Sequence, residues 1–255
     1  MLNYKHQVVE LLKSIETRDD RPIAYINPHK YIQHNLAVGD GLAGVQALLR
    51  VLPEGTTKVN TVRVFQDGDF VFAHTDYDFF GPKVGFDIFR FEDGMIVEHW
   101  DNLQETAAKP MPGGHTMLDG PTTALDLERT AANKALLQNY MDEIFVQGRK
   151  DRFPGYFEGN SYIQHNPLIV DDGLTGLAAG LRALAERGLT VKYDRVHMVL
   201  GEGDFVLVVN EGAFGGRPTS IYDLYRVQNG KIAEHWDTLE AIPPRAEWKN
   251  SNGKF

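Results

Sequence analysis

The strongest constraint on the fold is an internal repeat that covers almost the whole chain. Four short strings occur twice and in the same order: Tyr-Ile-Gln-His-Asn at 31–35 and 162–166, Asp-Gly-Leu at 40–42 and 172–174, Asp-Phe-Val at 69–71 and 204–206, and Glu-His-Trp-Asp at 98–101 and 234–237. The period is too long for a solenoid repeat. The sequence therefore predicts two copies of one domain of about 120 residues, an ordinary domain size.

The boundary between the copies is predicted at a stretch rich in proline and glycine. The relevant residues are Pro110, Pro112, Gly113, Gly114, Gly120 and Pro121. This composition is typical of a linker. We therefore expect a first domain over 1–110, a linker over 111–123 that crosses a surface, and a second domain over 124–255.

Composition excludes several functional classes. The 255 residues include no cysteine, which rules out disulfides, thiolate nucleophiles and cysteine-ligated zinc. The net charge is −9 and lysine and arginine form no cluster, so we expect a small-molecule ligand and no nucleic-acid partner. No apolar run has the length of a membrane span, and the first residues lack the apolar core of a secretory signal. We expect a cytoplasmic location and no membrane partner.

The order of predicted elements is the same in both copies. Each opens with apolar residues at helical spacing, over about 8–15 and 131–145, and a second helix begins after Asp40 or Asp172. The remainder reads as strands joined by tight turns, with Asp-Gly or Asn-Gly in the last hairpin. Helices followed by a meander predict an α+β fold. A curved antiparallel sheet with helices on its concave face makes a cone, whose mouth is a natural pocket.

Specific strings within this pattern resemble the SnoaL-like polyketide cyclase family. They are Asp-Ile-Phe-Arg at 87–90, Asp-Gly at 93–94 and the Glu-His-Trp-Asp string, preceded by Tyr-Ile-Gln-His-Asn. The resemblance covers nearly all of each copy. It implies the NTF2-like cone fold, shared with ketosteroid isomerase, in two tandem domains. It also implies an aldol cyclase or isomerase type of reaction that uses neither a metal nor an organic cofactor.

The resemblance also implies which residues act. The family's pocket aspartate is a general acid/base, and its position in the last strand matches Asp101 and Asp237. The family's pocket histidine matches Asp87 and Asp223, where this chain departs from the family pattern.

The residue types are suited to this chemistry on physical grounds. Aldol closure removes a proton from a carbon next to a carbonyl, and burial in an apolar cone raises the pKa of a carboxyl group towards the operating pH. Histidine and asparagine donors can stabilise the enolate oxygen. The predicted catalytic residues are Asp101, His34, His74, Asp237 and His165. The predicted ligand-binding residues are Asn35, Asp87, His99, Trp100, Asn166, Asp223, His235 and Trp236.

The first copy carries the richer set of candidate groups. His74 has no histidine counterpart, because the ungapped alignment places Val209 opposite it and one inserted residue would place Asn210 there. If only one copy is active, the sequence favours the first.

Structural interpretations of the same residues stay open at this point. The motif aspartates could anchor strand ends, and the histidines of the Tyr-Ile-Gln-His-Asn strings could hold the following loop. In a regular strand, His99 and His235 share a face with the next aspartate, since side chains alternate. A zinc site of His34, His74 and Asp101 is conceivable, but the spacing does not favour one, so we expect no metal.

Two broader alternatives accompany the enzyme hypothesis. A non-catalytic module that binds a small molecule could use the same cone, and then Asp101 would be exposed or fully hydrogen-bonded. The tandem arrangement predicts an internal pseudo-dimer, because a short linker raises the effective concentration of the partner domain to about the millimolar range. A further homodimer is possible.

Overall fold

The computed structural model describes residues 3–107, 114–169 and 171–255, and divides into two compact units. Unit 1 comprises Met1–Thr106 and Ile242–Phe255, and unit 2 comprises Ala107–Ala241. These limits differ from those expected from the sequence at both junctions. Residues 242–255, assigned above to the second domain, pack within unit 1, while the described part of the predicted linker packs within unit 2. Pro112 and Gly113 of that linker, and Pro110 just before it, lie outside the described residues.

The C-terminal segment is held in unit 1 by asparagine side chains. Asn250 Nδ2 donates hydrogen bonds to the carbonyl oxygens of Asn35, at 2.8 Å, and Val38, at 2.9 Å. Asn252 Nδ2 donates to the Gln33 carbonyl at 3.0 Å. Neither asparagine belongs to a repeated string, so the repeat gave no signal for this packing.

Unit 1 contains two α-helices and one five-stranded sheet. Its helices and strands are α1 (Tyr4–Thr17), β1 (Ile32–Gln33), α2 (Gly41–Val51), β2 (Lys58–Asp67), β3 (Phe70–Asp78), β4 (Pro82–Glu92) and β5 (Met95–Glu105), with short 3₁₀ turns at Arg21–Tyr25 and Arg245–Glu247. The strand order is β1-β5-β4-β3-β2. The short β1 runs parallel to β5, and the other neighbours are antiparallel.

Unit 2 repeats this architecture. Its elements are α3 (Thr130–Tyr140), β6 (Ile163–Gln164), α4 (Gly173–Glu186), β7 (Val191–Glu202), β8 (Phe205–Phe214), β9 (Arg217–Gln228) and β10 (Lys231–Ala241), with 3₁₀ turns at Leu127–Arg129 and Lys150–Tyr156 and a π-helical turn at Met141–Val146. The strand order β6-β10-β9-β8-β7 matches that of unit 1. The predicted α+β class and the tandem duplication are therefore confirmed. No helix in the described ranges is long and apolar enough to span a membrane.

The local sequence explains the main elements. Val8, Leu11 and Leu12 form the buried stripe of α1, which packs across β2 and β3. Each such buried side chain contributes roughly 1.5–3 kcal/mol to the free energy of folding.

In the last hairpins, Asp93-Gly94 and Asn229-Gly230 have positive φ at both positions, from 51° to 82°. Positive φ at both central residues is the conformation that the predicted two-residue hairpin turns require.

Strand register decides which side chains share a face of the sheet. In unit 1, Asp87 pairs with both Ala73 and Asp101, and Phe89 pairs with His99. Ala73 and Phe89 pack in the core beneath α1, so we call this side the helix face. Because side chains alternate along a strand, the neighbouring residues in sequence lie on the opposite, outer face.

A glycine in β4 makes room for a side chain of the helix face. A Cβ atom placed on Gly85 would lie 2.4 Å from Leu103 Cδ2 and 3.1 Å from Tyr77 Cε2. We expect Gly85→Ala to lower the free energy of unfolding by about 1–2 kcal/mol in urea titrations, because both side chains must shift. Gly155→Ala is the control, since a Cβ there meets nothing within 4 Å. Equal stability of the two variants would contradict this expectation.

Candidate active site

Each unit gathers two aspartates and one histidine on its helix face. They are Asp87, His99 and Asp101 in unit 1, and Asp223, His235 and Asp237 in unit 2; all six are buried. Within each group, one titratable atom of every residue lies within 4.8 Å of the others. The cause is register: the two aspartates face each other across the last two antiparallel strands, and the histidine lies two residues before the second aspartate. The prediction that His99 and His235 share a face with the next aspartate is confirmed, and their ligand-binding role stays a prediction.

The repeated Tyr-Ile-Gln-His-Asn string holds the histidine in place. His99 Nδ1 lies 3.0 Å from Gln33 Oε1, which also accepts a hydrogen bond from the Asn35 backbone N–H at 2.9 Å. Gln33 Oε1 is therefore an acceptor, and His99 Nδ1 donates to it. His99 Nε2 lies 3.2 Å from Asp87 Oδ1, within hydrogen-bond distance.

Unit 2 contains the same arrangement in a tighter form. His235 Nδ1 lies 3.0 Å from Gln164 Oε1, and His235 Nε2 lies 2.8 Å from Asp223 Oδ1. Burial alone would lower the pKa of His235, but the hydrogen bond to Asp223 and the charge of Asp237 raise it overall. The histidine is thereby stabilised in its protonated form beside two carboxyl groups.

The aspartate of the penultimate strand is enclosed by hydrogen-bond donors. Tyr77 Oη donates to Asp87 Oδ2 at 2.7 Å. In unit 2 the phenol comes from β7, two strands away from Asp223 in β9: Tyr193 Oη donates to Asp223 Oδ1 at 3.3 Å. Asn210 Nδ2, from the intervening β8, donates to Asp223 Oδ2 at 2.8 Å. Burial raises the pKa of Asp87, and the hydrogen bond and charge of His99 oppose that change.

The aspartate of the last strand keeps one oxygen without a hydrogen bond. Asn35 Nδ2 donates to Asp101 Oδ2 at 2.5 Å, and Asn166 Nδ2 donates to Asp237 Oδ2, also at 2.5 Å. The Oδ1 atom of each aspartate is buried and accepts no hydrogen bond from the described part of the chain. A buried oxygen with a free lone pair is suited to receiving a proton.

A lysine distinguishes the two units. In unit 1, Lys254 Nζ lies 3.5 Å from Asp101 Oδ1, and the lysine side chain is 4% exposed. The preceding residue, Gly253, accepts a hydrogen bond from His34 Nδ1, as Thr116 does from His165 Nδ1 in unit 2. The residue after Thr116 is the buried Met117. The corresponding position in unit 2 is therefore apolar.

Asp237 has a strongly shifted pKa. Burial raises it from 3.8 to about 6, with a further contribution from the charge of Asp223, while His235 and the hydrogen bond from Asn166 oppose the shift. A carboxyl group with this pKa exchanges its proton near neutral pH.

This shift predicts a pH dependence of stability. Because the folded-state pKa of Asp237 is raised, its stabilising contribution is fully present below pH 4 and is lost as the pH rises through 6. The shift corresponds to about 3 kcal/mol. The asparagine of Asp237→Asn cannot ionise. We therefore expect the free energy of unfolding of this variant, measured by urea titration, to rise relative to that of the unchanged protein by up to about 3 kcal/mol between pH 4 and pH 7.5. If the free energies of unfolding of the two proteins depend on pH in the same way, the raised pKa of Asp237 is contradicted.

The structure separates His34 from the candidate base. His34 stacks on Trp100 with ring centroids 4.8 Å apart, and its Nε2 lies 3.0 Å from Glu98 Oε1. Glu98 and Trp100 alternate with His99 and Asp101, so they occupy the outer face. The expected catalytic role beside Asp101 is therefore not supported for His34. The contacts of Trp100 likewise place it away from that cluster.

His74 is also on the outer face. It pairs with Phe86 and stacks on that ring at 4.3 Å, and its Nδ1 lies 3.1 Å from Arg63 Nη1. Since Ala73, one residue earlier, faces Asp87, His74 points to the other side of the sheet. Its predicted role next to Asp101 is corrected, and the reason for favouring the first copy no longer holds.

The second copy follows the same pattern. His165 stacks on Trp236 at 4.5 Å, and its Nε2 lies 2.8 Å from Glu234 Oε1. His165 and Trp236 are therefore on the outer face, away from Asp237. Asn166, by contrast, donates a hydrogen bond directly to Asp237, and its predicted ligand-binding role stays a prediction.

Several residues that contribute to the cluster were not predicted. They are Gln33 and Gln164, the two tyrosines whose hydroxyl oxygens accept hydrogen bonds from these glutamines (Tyr31 and Tyr162), and Tyr77, Tyr193 and Lys254. The glutamines and the first two tyrosines belong to the repeated Tyr-Ile-Gln-His-Asn string, which is a signal that could have identified them. Tyr77, Tyr193 and Lys254 carry no such signal, because they occupy non-equivalent positions in the two copies.

The aspartates of the candidate site have little contact with solvent. Asp87 is 4% exposed and Asp101 is 5% exposed. A groove of about 490 Å³ lies elsewhere in unit 1 and is lined by Ser14, Arg18, Asp19, Asp20, Ile23, Gln46, Leu49 and Arg50.

Comparisons with known proteins give structural matches. No protein-family model and no curated protein sequence matches this chain. TsrD from Streptomyces laurentii is 21% identical over 40% of this chain and 87% of that protein, with a TM-score of 0.35. A candidate SnoaL-like polyketide cyclase from Shewanella denitrificans is 14% identical over 39% of this chain and 88% of that protein, with a TM-score of 0.34. An NTF2-like protein of unknown function from Cytophaga hutchinsonii is 14% identical over 48% of this chain and 95% of that protein, with a TM-score of 0.33.

Proposed function

We propose that this chain is an acid/base enzyme that acts on a small, largely apolar carbonyl compound, of the intramolecular aldol cyclase or isomerase type. The observation that carries the proposal is the environment of Asp237, a buried carboxyl group with one unbonded oxygen and a pKa of about 6. A general base is most effective when its pKa lies close to the working pH.

The proposed reaction begins with proton transfer to Asp237. Its Oδ1 removes a proton from the carbon next to the substrate carbonyl, and the electron pair of the broken C–H bond moves onto the carbonyl oxygen as an enolate. In a cyclase the enolate carbon then attacks a second carbonyl of the same molecule, whose C=O π electrons move onto its oxygen as an alkoxide, and this alkoxide takes the proton back from Asp237 Oδ1. In an isomerase Asp237 returns the proton to a different carbon. These steps require no cofactor.

Tyr162 is the proposed donor to the enolate oxygen. Its hydroxyl oxygen accepts a hydrogen bond from Gln164 Nε2 at 3.0 Å, which leaves the phenolic proton available for another acceptor. Burial raises the pKa of Tyr162 well above its usual value, and the charge of Asp237 adds to this effect. The phenol therefore keeps its proton while the carboxylate gains one.

Unit 1 is proposed to carry a second site of the same class. Asp101 has the same hydrogen bond from an asparagine and the same unbonded oxygen, but Lys254 supplies an ammonium group nearby. This cation stabilises the carboxylate charge. We infer that proton abstraction takes place mainly in unit 2, with Asp237 as the base.

A non-catalytic binding module is the second candidate function. The hydrogen bonding of the site favours it, since both carboxylate oxygens of Asp87 and of Asp223 are occupied by hydrogen bonds. In such a module the aspartates would order the sheet rather than exchange protons with a ligand. The internal pseudo-dimer and the homodimer stay predictions, as does the cytoplasmic location.

The experiment that tests the enzyme proposal uses a general probe of carboxylate bases. The full chain is incubated with 5-nitrobenzisoxazole, whose ring opens with a colour change when a base removes its C–H proton. We expect turnover above the buffer rate that increases between pH 5 and pH 7, as Asp237 ionises. A rate equal to that of buffer at every pH, with a small apolar ligand still bound, would favour the binding module.

A further inference from the structure

A second group of titratable side chains lies in unit 2, apart from the aspartate pair. It consists of His115, Asp119 and His165, and one titratable atom of each lies within 4.8 Å of the others. His115 and Asp119 precede α3, and His165 follows β6. His165 is on the outer-face side with Trp236, so this group is separate from Asp237.

Both imidazole rings direct the same nitrogen at one carboxylate. His115 Nδ1 lies 3.2 Å from Asp119 Oδ2, and His165 Nδ1 lies 3.0 Å from Asp119 Oδ1. Two imidazole nitrogens and one carboxylate form a common donor set for zinc and other divalent transition metals. Zinc–ligand distances of about 2.0–2.2 Å require only a small rearrangement of such a group.

The opposite nitrogen of each ring is bound to a further carboxylate. His115 Nε2 lies 3.1 Å from Asp172 Oδ2, and His165 Nε2 lies 2.8 Å from Glu234 Oε1. A carboxylate on Nε2 holds each ring in position and leaves Nδ1 as the nitrogen that would bind a cation. At His165 the ion would first displace the proton that Nδ1 donates to the Thr116 carbonyl oxygen. Carboxylates in this outer position also orient the histidine ligands of known metal sites, so the arrangement is compatible with metal binding.

The ligands differ in accessibility in a way that suits entry of an ion. The His115 side chain is 28% exposed and that of Asp119 is 42% exposed, whereas His165 is fully buried. A cation can therefore approach from solvent and retain a water molecule. The Thr116 carbonyl oxygen, 2.7 Å from His165 Nδ1, is a further oxygen ligand within reach.

Unit 1 provides an internal comparison. There, His34 makes equivalent contacts, with its Nδ1 2.9 Å from the Gly253 carbonyl and its Nε2 3.0 Å from Glu98. Asn252 replaces His115 and donates to Asp40 at 2.7 Å. The scaffold is thus the same, but the second imidazole ligand occurs only in unit 2 among the residues that the structure describes.

We propose that His115, Asp119 and His165 bind a divalent transition-metal ion, with Zn²⁺ as the probe. Binding replaces the proton on His165 Nδ1 and any proton on His115 Nδ1, so protons are released and affinity falls in acid. The ion attaches the segment around His115 to unit 2. It is a structural site, and it does not depend on the proposed enzymatic function.

The test is calorimetric titration of the full chain with ZnCl₂ after removal of metal by a chelator. We expect one tight site per chain, proton release, and a rise in the unfolding temperature. His115→Ala and Asp119→Asn should each weaken this binding at least 100-fold, and Asp172→Asn should weaken it about 10- to 100-fold. Co²⁺ should give the visible absorption of a tetrahedral or five-coordinate complex that His115→Ala abolishes.

Two controls separate this site from other histidines and aspartates. His197→Ala removes a histidine of the same unit that lies 3.0 Å from Glu211, and it should leave the affinity unchanged. Asp237→Asn should also leave it unchanged, because Asp237 belongs to the other group. The proposal is overturned if no Zn²⁺ binds, if His115→Ala binds as tightly as the unchanged chain, or if Asp237→Asn abolishes binding.

Discussion

Replacing Asp237 with asparagine is expected to lower the rate of 5-nitrobenzisoxazole ring opening by about 10²- to 10⁴-fold, the usual contribution of a general base. Asparagine has nearly the same shape and can still accept the hydrogen bond from Asn166 Nδ2, so the change removes the base and little else. The measurement is the initial rate at pH 7, corrected for the rate in buffer.

The effect in unit 1 is expected to be smaller. Lys254 Nζ lies 3.5 Å from Asp101 Oδ1, whereas Asp237 Oδ1 has no such cation among the described residues. Asp101→Asn should therefore remove only the minor part of the rate. The double variant Asp101→Asn/Asp237→Asn should react no faster than buffer.

The control is an exposed aspartate of the same unit. Asp194 forms a surface ion pair with Lys192, and Asp194→Asn should leave the rate unchanged. An unchanged rate in Asp237→Asn, with its pH dependence intact, would remove this aspartate from the mechanism. A loss of rate in Asp194→Asn would show that the probe reacts at the surface.

The sequence predicted the fold well because the fold depends on local patterns. Period-two alternation and the Asp-Gly and Asn-Gly turns determine the hairpins, and the repeat then applies the same topology twice. The shared face of His99 and Asp101 followed from alternation alone. Apart from the repeat itself, these features depend only on residues close together in the sequence.

The site was predicted less completely because it depends on register and on distant contacts. A shift of one residue along β3 moves a side chain to the opposite face, which is why His74 is stacked on Phe86 instead of facing Asp87. His34 is bound by Gly253, more than two hundred residues away in sequence, and no local pattern indicates that contact. Lys254 approaches Asp101 for the same non-local reason.

The largest expected effect on stability comes from Asp223→Ala. Asp223 is fully buried, and its carboxylate accepts hydrogen bonds from His235 and Asn210, both at 2.8 Å, and from Tyr193 at 3.3 Å. Alanine leaves all three donors buried without this acceptor, and the histidine loses the carboxylate that shares its proton. We expect the free energy of unfolding to fall by about 3–5 kcal/mol, the usual cost of removing one partner of a buried ion pair.

Two further variants show whether the loss arises from the buried hydrogen bonds. Asp223→Asn keeps the volume and one acceptor oxygen, so it should cost less than Asp223→Ala. Asp194→Ala removes a surface ion pair, for which about 0–1 kcal/mol is expected. Urea titrations at pH 7 measure all three. If Asp223→Ala lowers the free energy of unfolding no more than Asp194→Ala does, then the Asp223–His235 pair does not stabilise unit 2. The pair would then act only through its effect on the chemistry of Asp237.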